Sequence, residues 1–376
     1  MDSLGKLKFL SDASRFDLSC ACGADDRDHR TRGDDGAWLY PVSLPNGGRS
    51  VILKTLISNV CVNDCLYCPY RSTVDGLRIT IEPEAMAQLF MDYWQQRRVF
   101  GLFLSSGVVG CPDHSMALLN DTAAILRRKF HFRGYIHLKV IPGASDAAIE
   151  ETLSLASAVS INIETPGERH FCRLSQKKNF EKDIIHPLKL ISSMTGKGMR
   201  YERIKTTTQF IVGASDETDR EIITYTAGLY DRLRMHRVYF SAYQTRSGAL
   251  PPKTSDRAMP YKIGKDEAFI REHRIYQADF LIRKYKFSMH DFIFDPGGFF
   301  SLDADPKQVW ADHHPETFPV VINSSDKLKL LRVPGLGPVT AGRVINLRKE
   351  GAIRSWESLG LSGKRLRMVK KYAVLR

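Results

Sequence analysis

The stretch SVILKTLISNVCVNDCLYCPYR, Ser50 to Arg71, decides the fold. Its first nine residues form a short β-branched run of the kind found in buried strands, and a cysteine-rich loop follows directly. Toward the C-terminus the same alternation repeats. EAMAQLFMDYWQQRR (Glu84 to Arg98) has helical periodicity, VFGLFLSSG (Val99 to Gly107) reads as a second strand, and a helix is expected over 115–129. YIHLKVI (Tyr135 to Ile141) is a third strand, with a helix over 146–156, and SAVSINIE (Ser157 to Glu164) is a fourth, with a helix over 180–195. TTTQFIVG (Thr206 to Gly213) and RVYFSAY (Arg237 to Tyr243) complete six strands, with a helix over 217–234 between them and a long one over 265–286 beyond. Strands alternating with helices predict an α/β fold paired in parallel through right-handed crossovers. An open doubly wound sheet and a partial barrel both fit, and both place working residues at the C-terminal ends of the strands.

The loop after the first strand reads NVCVNDCLYCPYR, so Cys61, Cys65 and Cys68 stand in Cys-x3-Cys-x2-Cys spacing. Three thiolates hold three irons of a cubane and leave the fourth iron open to a ligand. A structural zinc site wants four closed ligands, and no His or further Cys follows closely after Cys68. Unrelated buried cysteines are the plain alternative.

This spacing, with an aromatic residue (Tyr67) just before the last cysteine, resembles the radical S-adenosylmethionine superfamily. The resemblance covers about Val51 to Tyr243 and implies a partial (β/α)6 TIM-like barrel. It implies a [4Fe–4S] cluster on Cys61, Cys65 and Cys68, with S-adenosylmethionine on its open iron. One electron from the cluster then breaks the S–C5′ bond, and a 5′-deoxyadenosyl radical takes a hydrogen atom from the substrate. Residues carried over as cofactor contacts are Tyr67, then Ser105, Ser106 and Gly107 at the second strand end. Asn162 and Glu164 at the fourth strand end and Ile211, Gly213 and Asp216 in QFIVGASD complete the set. Ser-Ser-Gly stands where Gly-Gly-Glu is commoner, and Gln209 where a glycine is usual. Cys172 is a candidate hydrogen-atom donor and Cys20-x-Cys22 a candidate contributor to a second cluster, each against the reading of a small buried hydrophobe.

The charge is uneven. The chain of 376 residues carries +13, but 326–376 holds 13 Lys/Arg against 3 Asp/Glu, leaving only +3 on the rest. A basic tail on a nearly neutral body points to a polyanion-binding appendage. Within it, LLRVPGLGPVTAGRVINLRKEG (Leu330 to Gly351) reads as helix, Pro-Gly-Leu-Gly turn, helix. Gly335 and Gly337 permit a tight turn, and the amides after Pro338 face outward with the positive end of a helix dipole behind them. The pattern resembles the helix-hairpin-helix of DNA-binding and repair proteins, with Ala341, Val344 and Ile345 at its packing positions. A degenerate second unit follows in Ser355 to Leu375. The resemblance implies duplex DNA as partner, held without sequence readout through Gly335, Gly337, Thr340, Arg343, Gly363, Lys364, Arg365 and Arg367.

Together, barrel and small all-α C-terminal helix-hairpin-helix domain resemble a family of radical S-adenosylmethionine proteins named for DNA modification or repair. The expected division is 1–50 as an irregular N-terminal extension, 51–245 as the cofactor core, 246–325 as extension and linker, and 326–376 as the DNA-binding domain. A one-electron reductant of flavodoxin or ferredoxin type is implied. RNA modification, or a DNA-binding iron–sulfur redox sensor without catalysis, are the competing readings. No apolar run reaches the roughly 18 residues of a membrane span, and MDSLGKLKFLSDASRF is too polar for a signal peptide. A cytoplasmic location is therefore expected, where thiols stay reduced and a disulfide framework does not form.

Overall fold

The computed structural model describes residues 1–14, 30–43, 47–243 and 265–376; Cys20 and Cys22 lie outside them. The chain divides into two compact units, Met1–Glu217 with Gly228–Phe269, and Thr218–Ala227 with Ile270–Arg376.

In order, the elements up to residue 242 are α1 (Ser3–Ala13), β1 (Thr31–Arg32), β2 (Trp38–Ser43), β3 (Arg49–Leu56), α2 (Pro83–Gln95), β4 (Gly101–Ser105) and α3 (Pro112–Ala124). They continue with β5 (Tyr135–Lys139), α4 (Asp146–Leu155), β6 (Ala158–Ser160), α5 (Glu168–Phe171), α6 (His186–Met194), β7 (Lys205–Val212), α7 (Asp219–Asp231) and β8 (Arg237–Ala242). One sheet runs in the order β1 to β8, antiparallel from β1 to β3 and parallel at every step from β3 to β8. This order decides between the two architectures. A doubly wound sheet needs a reversal of strand order, whereas right-handed crossovers that all step one way put every helix on one face. The sheet then curls around its other face, as a partial barrel. The strands bury Leu53, Leu102, Leu138, Val159, Phe210 and Phe240, and α2, α3 and α4 bury Phe90, Leu119 and Leu153.

The N-terminal extension is not irregular where it is described. In α1, capped by the Asp2 carboxylate accepting from Gly5 N at 2.8 Å, Leu7 and Leu10 fall on one buried face. β1 and β2 join through a tight turn in which Gly33 N donates to Ala37 O at 2.9 Å. Short elements around a Gly- and Asp-rich segment read as loop because that segment dominates the local composition. The helices expected over 115–129 and 180–195 are present, the first ending and the second beginning in a π-helical turn (Ile125–Lys129 and Phe180–Ile185).

From residue 265 onward the elements are α8 (Lys265–Tyr285), α9 (Pro306–His313), β9 (Val320–Val321), α10 (Lys327–Arg332), α11 (Pro338–Leu347), α12 (Gly363–Tyr372) and β10 (Ala373–Val374). β9 and β10 pair in parallel, so the tail expected to be all-α carries a small sheet; strands of two residues are too short to show a period. Within the second unit, the buried Asp219 accepts from Arg271 Nε at 2.7 Å and from Phe300 N at 2.9 Å. Among the described residues no helix is long and apolar enough to cross a membrane.

Candidate active site

The loop from Asn59 to Arg78 is folded by its own side chains. Asn59 donates to Leu77 O and accepts from Ile79 N, at 2.8 and 2.7 Å. The Arg78 guanidinium donates to the carbonyls of Asn59, Tyr70, Arg71 and Val74, and Arg71 Nη1 donates to those of Leu66 and Cys68. Converging carbonyls need cationic donors, and the planar fork of arginine supplies several in one plane.

A second set of contacts clamps this loop to 174–178. The Asp64 carboxylate accepts from Ser175 Oγ at 2.5 Å and Gln176 N at 2.9 Å, Leu66 N donates to Leu174 O at 2.8 Å, and Lys177 Nζ donates to Val62 O at 2.7 Å. Burial alone would raise the Asp64 carboxyl, but these donors hold it below its ordinary value.

The loop opens onto a cavity of about 220 Å³ at the C-terminal ends of the parallel strands. Cys61, Cys65, Tyr67, Cys68, Ser105, Ser106, Gly107, Asn162, Glu164 and Ile211 all line it, together with Lys139, Lys178, Gln209, Ser241 and Tyr243. This volume lies just under the roughly 300–1,000 Å³ of ordinary small-molecule sites, and a nucleic-acid duplex does not fit.

Gly107 decides how closely the end of β4 meets the cysteine loop. A Cβ there would sit 3.2 Å from Cys61 Cβ and would overlap the backbone carbonyl of Val60. Both backbones are fixed, because Gly107 N donates to Ser58 O at 2.8 Å and Val62 N to Val108 O at 3.0 Å. Next to it Ser106 Oγ is buried without a hydrogen-bond partner among the described residues, an arrangement that ordinarily awaits a ligand or water.

Across the cavity Tyr67 Oη donates to Glu164 Oε1 at 2.8 Å. Burial raises the Tyr67 phenol well above its ordinary value, and the neighbouring Cys65 and Glu164 raise it further, so it keeps its proton. Glu164 has φ +66 and is held in a bridge to β7, with its N donating to Gln209 O at 2.9 Å and its O accepting from Ile211 N at 2.8 Å. A left-handed glutamate is a strained conformation of the kind that collects at functional sites. Lys178 lies beside this pair, its Nζ 5.8 Å from the Tyr67 ring centre and 5.2 Å from that of Phe171. Burial alone would lower the Lys178 ammonium, but Cys65 and Glu164 reverse this and raise it. Burial pushes the Cys65 thiol up and the Cys68 thiol to about 12.

Two expected cofactor contacts, Gly213 and Asp216, and the candidate hydrogen-atom donor Cys172 do not line the cavity. Gly213 (φ +84) belongs to a turn fixed by Glu217, which accepts from Gly213 N at 2.5 Å and Ser215 N at 3.0 Å. Asp216 pairs with Arg173 at 2.5 Å, His170 Nδ1 at 2.9 Å and Arg169 at 3.3 Å. Burial works against that carboxylate, yet Arg173, Ser215 and His170 hold it at about 2. Cys172 is exposed, its Sγ donating to Arg169 O at 3.2 Å, so it does not face the cavity as a hydrogen-atom donor would. Lys139, Lys178, Ser241 and Tyr243 line the cavity without having been expected there; of these Lys178 lies in a polar segment without periodicity, brought to the cysteines by the clamp between Asp64 and its neighbours 175–177.

Among the described residues no three His, Cys, Asp or Glu side chains gather so as to hold one metal ion. Cubane ligands bind different irons at different corners and stand further apart than ligands of one ion. The three cysteines on one preformed loop, the Ser106 hydroxyl and the close approach of β4 to that loop at Gly107 fit a cluster with a polar ligand beside it.

In the tail, the turn between α10 and α11 has Gly335 at φ +84, where a Cβ would strike Val369 and the Arg365 backbone. Ala341 and Val344 are buried and Ile345 is half-buried. Gly363 (φ +53) opens α12, and Gly360 (φ +65) precedes it. Three of the expected phosphate contacts already have partners inside the unit. Arg343 Nη1 donates to Leu359 O, and Arg365 donates from Nε to Gly335 O and from Nη2 to Thr340 Oγ1, each at 2.7 Å. Lys364 and Arg367 remain exposed, and Gly337 is half-buried.

No protein-family model matches the chain, and no curated protein matches it. Among solved structures it is similar to the FeFe-hydrogenase maturase HydG from Carboxydothermus hydrogenoformans, at 15% identity over 61% of this chain and 51% of that one, with a TM-score of 0.47. It is also similar to methylornithine synthase (PylB), at 12% identity over 61% and 63% with a TM-score of 0.46. Another HydG, a maturase of the [FeFe]-hydrogenase, matches at 11% identity over 85% and 81% with a TM-score of 0.45. The chain thus spans about half the length of the first of these.

Proposed function

We propose that this chain is a radical S-adenosylmethionine enzyme whose substrate is DNA. The observation that carries the reading is the convergence on one cavity of Cys61, Cys65 and Cys68 with Ser105, Ser106, Asn162, Glu164 and Ile211. Bound there, a [4Fe–4S] cluster and S-adenosylmethionine supply one-electron cleavage of the sulfonium and a 5′-deoxyadenosyl radical for hydrogen abstraction. The chain's own residues position these groups. Cys61, Cys65 and Cys68 hold the cluster, and the end of β4 offers the Ser106 hydroxyl and the close approach at Gly107. Tyr67 fixes the Glu164 carboxylate so that it presents an acceptor to a hydroxyl or amino group in the cavity. Strand ends and loop together keep the reacting carbon away from bulk water.

DNA as substrate rests on the tail: 13 cationic residues, two glycine turns opening helices, and exposed Lys364 and Arg367. The cavity takes a small group and not a duplex, so the reacting base or sugar must leave the helical stack to reach it. A flavodoxin- or ferredoxin-type carrier is the expected electron source.

The test is anaerobic reconstitution with iron and sulfide, then dithionite and S-adenosylmethionine, with 5′-deoxyadenosine measured alone, with duplex DNA and with structured RNA. Product that disappears in the Cys61→Ala, Cys65→Ala and Cys68→Ala variants supports the enzyme, and stimulation by duplex DNA over RNA supports the substrate. A fully loaded cluster that yields no 5′-deoxyadenosine refutes catalysis and leaves a redox sensor.

A further inference from the structure

The body ahead of the tail is close to neutral only as a sum. Four stretches lead into β4, β5, β7 and β8: 97–100, 127–134, 196–205 and 231–237. These 29 residues hold 13 Lys/Arg against 2 Asp/Glu, a charge of +11. Residues 1–325 as a whole carry +3, so everything else in them sums to −8. Because β3 to β8 pair in parallel, all four stretches stand at the N-terminal end of the sheet. The cysteine cavity is at the other end. At about 3.3 Å per residue, β4 and β7, of five and eight residues, separate the two ends by roughly 17–26 Å.

A cation at a helix C-terminus complements the dipole, which accounts for one basic residue per helix end. More than that is present here. Beyond α2, beyond the π-helical turn after α3 and beyond α7, the chain reverses through Arg97 (φ +58), His131 (φ +52) and Arg234 (φ +51). Glycine adopts this conformation at less cost. Three of the five non-glycine residues with positive φ among the described residues thus fall in these stretches, and all three are exposed.

The cations divide by role. Arg127 donates to Phe132 O, Gly134 O and Leu155 O, which fixes the turn into β5, and Arg98 pairs with Asp35 at 3.0 Å. By contrast, the side chains of Arg128, Arg133, Arg203 and Arg234 are exposed and enter no hydrogen bond or ion pair among the described residues. Arg128, His131 and Arg133 line an open concavity of about 490 Å³ together with Leu155 and Ala156. Trp94, 41% exposed, lines another of about 590 Å³ with Arg97 and Arg98. The Trp94 ring also packs edge-on against Phe132 at 5.4 Å, which joins the two concavities. Ten of the 13 cations are arginine. Lysine serves solubility equally well, whereas the arginine fork matches phosphate oxygens and stacks on bases. An exposed indole among arginines adds a stacking surface.

We propose that the N-terminal face of the barrel is a second binding surface for the phosphodiester backbone of nucleic acid, remote from the reacting group. The inference rests on the nucleic-acid reading above and extends it from the tail to the barrel. Phosphates held here position the chain without reading sequence. The same polarity, +11 on one face and −8 elsewhere, steers a polyanion onto this face.

The experiment is fluorescence anisotropy of the full chain on a labelled duplex over a series of salt concentrations. Wild type is compared with a barrel variant combining Arg128→Gln, Arg133→Gln, Arg203→Gln and Arg234→Gln, and with a tail variant combining Lys364→Gln and Arg367→Gln. The barrel variant should lose roughly tenfold or more in affinity, and its salt dependence should flatten by about 0.9 for each phosphate contact removed. Its thermal unfolding should match wild type, since these four side chains hold nothing within the protein. In wild type a bound duplex should shield the exposed Lys129, Lys197 and Lys205 from acetylation, read by mass spectrometry without any variant. Full duplex binding by the barrel variant, or a bound duplex that leaves all three lysines open, overturns this inference; loss of binding in the tail variant then keeps the nucleic-acid reading standing. A barrel variant that loses only the docking of an acidic flavodoxin overturns it too, and gives the face to a protein. No duplex binding by wild type overturns both readings.

Discussion

Replacing Gly107 with alanine tests whether the barrel and the cysteine loop meet as described. Its φ is not in the left-handed region, so alanine meets no backbone penalty and the whole effect is steric. The new Cβ would overlap Val60 O and stand 3.2 Å from Cys61 Cβ. A flexible side chain would swing aside, but these are backbone atoms, locked by Gly107 N to Ser58 O and Ile57 N to Ser105 O, both at 2.8 Å. Relief requires moving the end of β4 or the first cysteine. Overpacking of this kind costs about 1–3 kcal/mol, which for a barrel of this size lowers Tm by roughly 2–10 °C. Differential scanning fluorimetry of Gly107→Ala before any iron is added reads that term alone. Iron and sulfide per chain after anaerobic reconstitution read the displacement of Cys61, and should fall well below wild type. A variant with unchanged Tm and full iron content would refute the close approach and, with it, the placement of the Ser105–Gly107 strand end beside the cysteines.

Other consequences follow from single contacts. Asp216→Asn should destabilise the protein at neutral pH by on the order of 2 kcal/mol, since the carboxyl sits at about 2 rather than near its ordinary value. A depressed carboxyl contributes above its unfolded pKa and loses that contribution as pH falls. The gap between Asn variant and wild type in urea denaturation should therefore narrow from about pH 5 downward. Arg271→Met leaves the buried Asp219 without its cation and should cost about 3–5 kcal/mol in denaturant unfolding. Replacing Lys364 and Arg367 together with glutamine should flatten the salt dependence of duplex binding by roughly 0.9 per lost phosphate contact. Adding Arg365→Gln should also lower Tm, because Arg365 braces Gly335 and Thr340.

The parallel strands were legible because each is a short apolar run followed by a helix with its own period, and every one of the six lies where the alternation places it. The cysteine loop was legible because its residues are contiguous. Lys178 was not: nothing near Gln176 distinguishes it from any surface lysine, and its role depends on Asp64, more than 100 residues earlier, holding Lys177 and its neighbours. Asp216 misled for the opposite reason. It sits in a segment whose strand points into the cavity, but the turn at Gly213 redirects the chain toward Arg173 and His170. In the tail, spacing identified the turns but could not distinguish an arginine facing solvent from one bound to a neighbouring carbonyl. Arg343 and Arg365 are of the second kind.

The way the cysteine loop is held bears on how the protein behaves without metal. In a zinc finger the ion is the core, and the apo chain is unfolded. Here the hydrogen bonds of the loop are made by protein groups: Asn59, Arg71 and Arg78 from within, Asp64 and Leu66 to 174–177, and Tyr70 Oη to Ala13 O at 3.3 Å. The three thiols are then presented by a loop whose backbone is already set. Two of them, Cys65 and Cys68, are raised by burial, so loading iron means expelling protons from thiols that retain them at neutral pH. Removal of iron by a chelator should leave far-ultraviolet circular dichroism and the cooperativity of unfolding unchanged, and iron should return without refolding. Arg78→Ala, which strips donors from four loop carbonyls without touching a cysteine, should cost iron content while the rest of the barrel stays folded. If iron removal instead abolished cooperative unfolding, the loop would depend on the metal for its shape, and this account of its construction would fail.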